Sequence, residues 1–153
     1  MIRRILIANR GEIAVRIIRT CQELGIEAVA IYSNVDSTSL HVQLADHAVC
    51  IGSAKATDSY LNMKNILSAA TALGCDAIHP GFGFLSENST FARLVEECGM
   101  TFIGPSGDII DMMGNKSMAR QKMIEANVPV VPGSDGSVNT LEDARKVAKE
   151  IGF

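Results

Sequence analysis

The sequence has no run of lysines and arginines that could neutralise a row of phosphates, and its formal net charge is −3. A nucleic-acid surface is therefore not expected. No apolar stretch is long enough to cross a membrane. The apolar start is interrupted by polar residues from Asn9 onward, too early for the apolar region of a signal peptide. With 47% hydrophobic and 20% charged residues among 153, the composition predicts a globular, cytoplasmic protein that binds neither nucleic acid nor membrane.

Cysteine is scarce and widely spaced. The four cysteines are Cys21, Cys50, Cys75 and Cys98. They form no C-x-x-C pair and have no histidine at ligand spacing, so a zinc site is not expected. Each lies among apolar residues, which favours buried, reduced thiols that fill space in a core.

Several motifs of catalysis and cofactor binding are also missing. The turn after the first apolar run holds one glycine, Gly11, where a dinucleotide site requires G-x-G-x-x-G, and Glu12 would repel a phosphate there. Neither G-x-S-x-G nor H-E-x-x-H occurs. The residues alone indicate an α/β ligand-binding domain without a complete active site. Arg10, in the same turn, fits a ligand contact and a structural contact equally well.

Short apolar runs alternate with helical segments over the first two thirds of the chain. Five strands are predicted, at 5–8, 28–32, 48–51, 76–79 and 100–103. The helices between them are predicted to follow the first strand and to span 39–45, 62–73 and 88–98. Strands separated by helices indicate βαβ units, so the fold class is α/β with a doubly wound parallel sheet.

The first helix has apolar residues at spacings of four, four and three, which predicts one buried stripe. The members of this stripe are Ile13, Ile17, Cys21 and Leu24. Asn9 and Glu12 are three residues apart at the helix start, as in a capping box.

Beyond Pro105 the strands stop. Three helices are predicted, at 106–113, 115–126 and 140–151, with a connector rich in proline and glycine before the last. A lone helix of that length is marginal in water and has no strand to lie against. The sequence is therefore expected to be cut inside a second domain, after a first domain of residues 1–114 and an incomplete start of the second at 115–153.

The most distinctive segment, His79 to Asn88 (HPGFGFLSEN), follows the fourth predicted strand. Gly81 and Gly83 permit a positive φ or close approach to another molecule, and Pro80 fixes its own φ. Open α/β sheets bind ligands at the carboxyl ends of their strands. The segment fits a ligand-binding loop, or equally a tight turn with two packed phenylalanine rings.

Lys116 is a candidate phosphate contact. It follows Gly114 and Asn115 at a predicted helix start, where backbone N–H groups favour an anion. The alternative is an ordinary exposed lysine on a helix.

Five segments, in order along nearly the whole chain, resemble biotin carboxylases. They are 7–14 (IANRGEIA, followed by Arg16 and Ile17), 79–88, 102–105 (FIGP), 113–116 (MGNK) and 131–134 (VPGS). The combination is specific. The family includes the biotin carboxylase subunit of acetyl-CoA carboxylase and the matching domains of pyruvate and propionyl-CoA carboxylases.

The resemblance implies a Rossmann-like preATP-grasp domain followed by the truncated start of an ATP-grasp domain. It also implies a ligase reaction in which ATP, with Mg²⁺ or Mn²⁺, activates bicarbonate as carboxyphosphate. The resulting CO₂ passes to biotin on a carrier protein or domain. A carboxyltransferase is a further implied partner, with acetyl-CoA carboxylase and fatty acid biosynthesis as the expected setting. The final acceptor is chosen by a different subunit or domain.

Site residues follow from the same resemblance. Lys116 is implied to contact ATP, and Gly81, Phe82 and Gly83 to border the biotin side of the active site. Many members have tyrosine where this chain has Phe82, so a contact through a phenol hydroxyl is absent. The family's second ATP-contacting lysine, its glycine-rich phosphate loop, its metal ligands and its bicarbonate-binding residues lie beyond residue 153. We therefore expect no catalytic residue or metal ligand in this chain, no tight cofactor binding and no activity from it alone.

The first helix also carries a polar stripe of Arg16, Arg19 and Glu23. Arg19 precedes Glu23 by four, the less favourable order for pairing within one helix, so these charges could be satisfied across a two-fold interface. The resemblance implies a homodimer at full length, and the alternative is a solvated stripe. For the whole chain, the alternative is an independent, non-catalytic α/β binding or assembly module of the same ancestry.

Overall fold

Five parallel strands form a single sheet in a computed structural model that describes residues 2–134, 136 and 138–152. The strands are β1 (Arg4–Ile7), β2 (Glu27–Ser33), β3 (His47–Gly52), β4 (Ala77–His79) and β5 (Thr101–Phe102). Their order across the sheet is β3-β2-β1-β4-β5. The predicted doubly wound α/β fold is confirmed, and each predicted strand overlaps an observed one.

The central strand, β1, pairs with β2 on one side and with β4 on the other. Ile7 is opposite Ala30 of β2 and His79 of β4, so β1 and β4 end at the same level of the sheet, whereas β2 continues to Ser33. The apolar residues of β1 are buried, as expected for a strand covered on both faces. The chain proceeds from β1 outward to β2 and β3, then returns to the other side of β1. This reversal makes the β1–β4 edge the topological switch point, where open α/β sheets bind ligands.

Seven α-helices lie within the described residues. They are α1 (Gly11–Glu23), α2 (Leu40–Leu44), α3 (Met63–Ala72), α4 (Ser89–Glu97), α5 (Gly107–Gly114), α6 (Lys116–Glu125) and α7 (Leu141–Ile151). Asn62 and Asn88 cap α3 and α4, since their side chains accept backbone hydrogen bonds from Asn65 and Phe91. None of the described helices is both long and apolar enough to cross a membrane.

Apolar side chains form two clusters, one on each face of the sheet. The larger includes Leu6 and Ile78 of the sheet together with Ile66 of α3 and Phe91 of α4. The smaller combines strand residues such as Ile7 with residues of α1, and partly buried residues of α2 pack against it. The helices that follow β1 and β2 thus cover one face, and those that follow β3 and β4 cover the other.

Of the stripe predicted to be buried on α1, only Cys21 is buried, so the prediction is wrong for the stripe as a whole. The buried residues are Ala14, Val15, Ile18 and Cys21. Leu24 is 68% exposed, and Ile13 and Ile17 are only partly buried. The apolar residues of α1 extend around more of the helix surface than the part that packs against the sheet. The remaining apolar residues of α1 line an open groove of about 410 Å³ together with Ile5, Ile26 and the exposed Arg16.

The prediction for the cysteines holds only in part. All four are free thiols, but Cys50 and Cys98 are exposed, whereas Cys21 and Cys75 are buried. Burial of Cys50 was predicted from its apolar neighbours in the sequence. That prediction is wrong because alternate residues of a strand face opposite sides of the sheet. Burial raises the pKa of the Cys75 thiol to about 11, which makes it a poor nucleophile at neutral pH.

The chain separates into two compact units, Met1–Ile110 and Asp111–Phe153. The first contains the sheet. The second contains α6 and α7, and the apolar residues Leu141 and Ile151 of α7 are exposed. The boundary predicted after residue 114 stays a prediction.

Candidate functional site

Two loops meet at the switch point of the sheet. Asn9 and Arg10 follow β1, and the glycine loop, defined as residues 80–84, follows β4. Gly81 and Gly83 have φ of +66° and +70°, and Phe84 also has a positive φ, of 44°. A positive φ is costly for a phenylalanine, so the surrounding contacts must hold this backbone in place.

Asn9 bridges the two loops. Its side chain is buried, and Nδ2 donates to the carbonyl oxygens of Pro80 at 2.9 Å and Phe82 at 2.7 Å. Its Oδ1 accepts a hydrogen bond from the backbone N–H of Arg10 at 2.9 Å. The predicted capping box is therefore wrong: α1 begins after Arg10 with no side-chain cap. The Asn9 side chain binds the distant glycine loop instead of taking part in a capping box with Glu12.

Arg10 makes a structural contact. Its Nε donates to Oδ2 of Asp36 at 2.9 Å, and its Nη2 donates to Oδ1, so the guanidinium holds the carboxylate with two hydrogen bonds. The hydroxyl groups of Tyr60 and Ser33 donate to the same Oδ2 at 2.6 and 2.9 Å. Asp36 lies just beyond β2, so the cluster ties the ends of neighbouring strands together.

The electrostatics of this cluster fix its protonation states. The Arg10 hydrogen bond, assisted by those from Tyr60 and Ser33, holds the pKa of Asp36 well below its usual range despite burial. Hydrogen bonding to Asp36 raises the pKa of Arg10, and burial, followed by the hydrogen bond to Asp36, raises that of Tyr60. At neutral pH the group is a buried carboxylate fully satisfied by its donors.

Tyr60, a member of this cluster, also contacts the glycine loop. The Phe84 ring stacks on Tyr60 with centroids 5.2 Å apart and planes 25° apart, and Leu85 is buried beneath the loop. Phe82, in contrast, is 76% exposed. One of the two rings therefore packs, as the turn interpretation predicted, and the other faces solvent.

His79 closes the base of the loop. Its Nδ1 accepts a hydrogen bond from the backbone N–H of Gly81 at 3.0 Å. Burial lowers the pKa of His79, so the ring is neutral at pH 7 with its proton on Nε2. Protonation of Nδ1 would break this hydrogen bond.

Lys116, in the second unit, begins α6 and is exposed. The Asn115 side chain caps this helix and accepts hydrogen bonds from the N–H groups of Ser117 and Met118, both at 3.1 Å. Those two amides are therefore occupied by the cap. Lys116 also lines a cleft of about 150 Å³ with Arg120 and Ser134.

Arg120 shapes that cleft. Its guanidinium donates to the carbonyl oxygens of Ser134 at 3.2 Å and Val131 at 2.5 Å, which fastens the connector to α6. The structure thus places Lys116 beside a bounded polar cleft. The glycine loop belongs to the first unit.

The predicted interface residues Arg16, Arg19 and Glu23 are all exposed on α1. Because Arg16 lines the groove with Ile13 and Ile17, the polar stripe lies next to partly exposed apolar side chains. Within the described residues, no group of three or more His, Cys, Asp or Glu side chains is placed to hold a metal ion.

Sequence reasoning did not find Asn9, Asp36 and Tyr60 as a connected group. A signal was present, because Asn9 and Asp36 both come shortly after a buried strand, and the carboxyl ends of parallel strands lie at one edge of the sheet. Tyr60 carried no comparable signal, since it lies in an irregular segment before α3.

The sheet order and the position of the loops at its switch point define a doubly wound α/β protein. The family model "Biotin carboxylase, N-terminal domain" matches residues 1–110, and "Carbamoyl-phosphate synthase L chain, ATP binding domain" matches residues 115–153. The chain belongs to the biotin carboxylase N-terminal domain family. The resemblance found in the sequence is confirmed.

Individual relatives agree. The chain is 59% identical over 153 residues to Biotin carboxylase 1 of Bacillus subtilis (strain 168), covering 100% of this chain and 34% of that protein. It superimposes on a biotin carboxylase complex from Campylobacter jejuni with a TM-score of 0.93 and 48% identity, covering 100% of this chain and 34% of that one.

A third relative is the biotin carboxylase domain dimer of Hydrogenobacter thermophilus 2-oxoglutarate carboxylase, solved with MgADP, ADP and bicarbonate. Its TM-score is 0.90 at 52% identity, with 100% of this chain and 34% of that chain covered. The chain thus spans about a third of the length of the relatives it matches, and it corresponds to the N-terminal portion of a biotin carboxylase.

Proposed function

We propose that this chain forms part of an enzyme that uses ATP and bicarbonate to carboxylate biotin on a carrier protein or domain. The observation that carries the proposal is the match to Biotin carboxylase 1 along all 153 residues at 59% identity. Nucleotide and bicarbonate in the Hydrogenobacter thermophilus structure support both substrates. Acetyl-CoA carboxylase is the proposed setting, with a carboxyltransferase as the second partner and the cytoplasm as the location. The four free thiols agree with a reducing compartment.

Within this function, Lys116 is proposed to contact the nucleotide and the glycine loop to border biotin. Lys116 projects from the start of a helix beside a small polar cleft, where a cation can meet an anionic ligand. ATP would supply the phosphoryl group that activates bicarbonate. The residues that hold the metal ion would come from another part of the enzyme, because the described residues contain no cluster suited to one.

The experiment is Lys116→Ala in the full-length enzyme. Loss of one charge-assisted hydrogen bond should raise the KM for ATP by a factor that corresponds to about 1.5–3 kcal/mol, roughly 10- to 150-fold. Initial rates of bicarbonate-dependent ADP release at varied ATP give this value.

Lys122→Ala is the matched control, because Lys122 lies on the same helix and pairs with Glu125 at 2.8 Å on the surface. It should leave the ATP KM within about twofold, as expected for an exposed ion pair. An ATP KM unchanged by Lys116→Ala would show that Lys116 is an ordinary surface lysine.

A further inference from the structure

We propose that Asn9 is a positioning residue that fixes the glycine loop and thereby aims the exposed Phe82 ring at the biotin-bearing substrate. The inference rests on the proposed role of this loop in biotin binding. It adds a residue outside the loop and a physical reason why that residue is needed.

The contacts of Asn9 use every hydrogen-bonding group of its side chain. Nδ2 donates to the Pro80 and Phe82 carbonyl oxygens at 2.9 and 2.7 Å, and Oδ1 accepts from Arg10 N at 2.9 Å. A carboxylate in the same place would lack both donors, and a hydroxyl would be too short and offer only one. With 3% of its surface exposed, Asn9 has no access to water as a substitute partner.

The loop depends on these bonds because its own backbone provides few. Regular backbone hydrogen bonds resume only where Ser86 N donates to Gly83 O at 2.9 Å. Before that point, within the described residues, the Pro80 and Phe82 carbonyls are held by Asn9. Gly81 is shaped for this approach, since a Cβ there would lie 2.8 Å from Asn9 Nδ2 and 2.9 Å from Ile13 Cγ2.

The hydrogen bonds of Asn9 help to position Phe82. The residue is 76% exposed, so the direction of its Cα–Cβ bond is set by the backbone on either side rather than by packing of the ring. Asn9 holds one side of that backbone, and the Phe84 ring stacked on Tyr60 holds the other. An exposed apolar ring on an ordered loop at the switch point suits the apolar thioether ring and hydrocarbon chain of biotin, and pre-ordering the loop removes an entropy cost from binding.

The test is Asn9→Asp in the full-length enzyme, which keeps the side chain's size and removes both donors. The KM for free biotin should rise at least fivefold, while the KM for ATP stays within twofold. Hydrogen exchange followed by mass spectrometry should show faster exchange in the peptide that contains residues 80–84. Asn65→Asp is the matched control, because Asn65 also donates its side-chain amide to a backbone carbonyl, that of Ile51 at 2.8 Å, away from the loop.

The outcomes separate this inference from the function it rests on. A biotin KM unchanged by Asn9→Asp but raised by Phe82→Ala would overturn the role of Asn9 and leave the loop's role standing. A biotin KM unchanged by both would remove the loop's role and the inference with it. Equal increases in the KM values for ATP and biotin would mark a purely structural residue and also overturn the inference. If Asn9→Asp does not accumulate as folded protein, the smaller, neutral Asn9→Ser is judged by the same criteria.

Discussion

Arg10 and Asp36 lie 26 positions apart, yet the guanidinium of Arg10 donates two hydrogen bonds to the carboxylate of Asp36. Asp36 is 6% exposed and accepts hydrogen bonds from Arg10, Tyr60 and Ser33. Such a carboxylate stabilises the fold only while all its donors are present, because an unpaired buried charge is expensive. The contact therefore belongs to the structure of the switch point rather than to ligand binding.

Asp36→Asn should lower the free energy of unfolding by about 2–3 kcal/mol, since hydrogen bonds to a charged group are lost while the side chain keeps its size. Half of the Arg10 side chain is exposed, which keeps the loss below that of a fully buried pair. Urea unfolding of the 153-residue chain at pH 7 measures the change. Asp58→Asn, at an exposed carboxylate that accepts from Ser53 at 3.0 Å, should cost less than about 0.5 kcal/mol.

The pH dependence follows from the lowered pKa of Asp36. The Asp36 carboxylate binds a proton less readily in the folded state than in the unfolded chain, where the pKa of Asp is about 3.9. The stabilisation is therefore complete above the unfolded pKa and is lost as pH falls toward the folded one. The stability difference between wild type and Asp36→Asn should shrink as pH falls from about 5 to about 2. A difference that stays constant over this range would contradict the assignment.

At the scale of elements, α1 shows how a helix can be apolar over more of its surface than its own sheet can cover. Its buried side contacts the sheet through residues such as Ile18, whereas Ile13 and Ile17 line the open groove. Arg16 borders the same groove, and Arg19 and Glu23 continue the exposed side. Apolar residues beside exposed charges are the composition expected near the rim of a protein interface.

We predict that Arg19→Glu weakens dimerisation of the full-length protein and that adding Glu23→Arg partly restores it. A two-fold axis brings each patch against its own copy, so reversing one charge creates repulsion and the second reversal restores attraction. Sedimentation equilibrium measures the dissociation constant. Lys64→Glu, an equally exposed charge reversal on α3, should leave it unchanged. Identical self-association of wild type and both stripe variants would identify the stripe as ordinary surface.

At the scale of the whole molecule, the chain carries a unit that contains the sheet and a shorter second unit. Residues 1–110 match an N-terminal domain family, whereas residues 115–153 match an ATP-binding domain family, and the relatives are about three times as long. Within the second unit, α7 has exposed apolar residues at both ends, Leu141 and Ile151. An amphipathic helix with this surface requires further packing partners to be stable.

The 153-residue polypeptide alone should therefore show no ADP release that depends on both bicarbonate and biotin. Phosphoryl transfer requires charge-stabilising groups and a metal ion around the phosphates, and the described residues offer Lys116 but no metal-binding cluster. A coupled ADP assay with purified chain, bicarbonate and free biotin measures this. Biotin-dependent ADP release in proportion to the amount of chain would contradict the prediction.

The sequence by itself determined the fold class, the order of the elements and the family. Apolar runs such as Ile5–Ala8 predicted buried parallel strands, because a strand covered on both faces needs continuous apolar residues. Asn62, Asn88 and Thr140 mark helix starts that the structure confirms with side-chain caps. These features depend on neighbours within a few positions, so the local order of residues is enough to predict them.

Only the tertiary structure decided which partners the polar side chains of the switch point take and which side of α1 is buried. The spacing suggested Glu12, three residues away, as the partner of Asn9. In the structure the Asn9 amide instead binds the carbonyl oxygen of Pro80, 71 positions away in the chain. Exposure of Leu24 and Cys50 likewise depends on where neighbouring elements end. Hydrogen bonds and burial of this kind arise when distant segments meet, and a pattern confined to one segment cannot specify them.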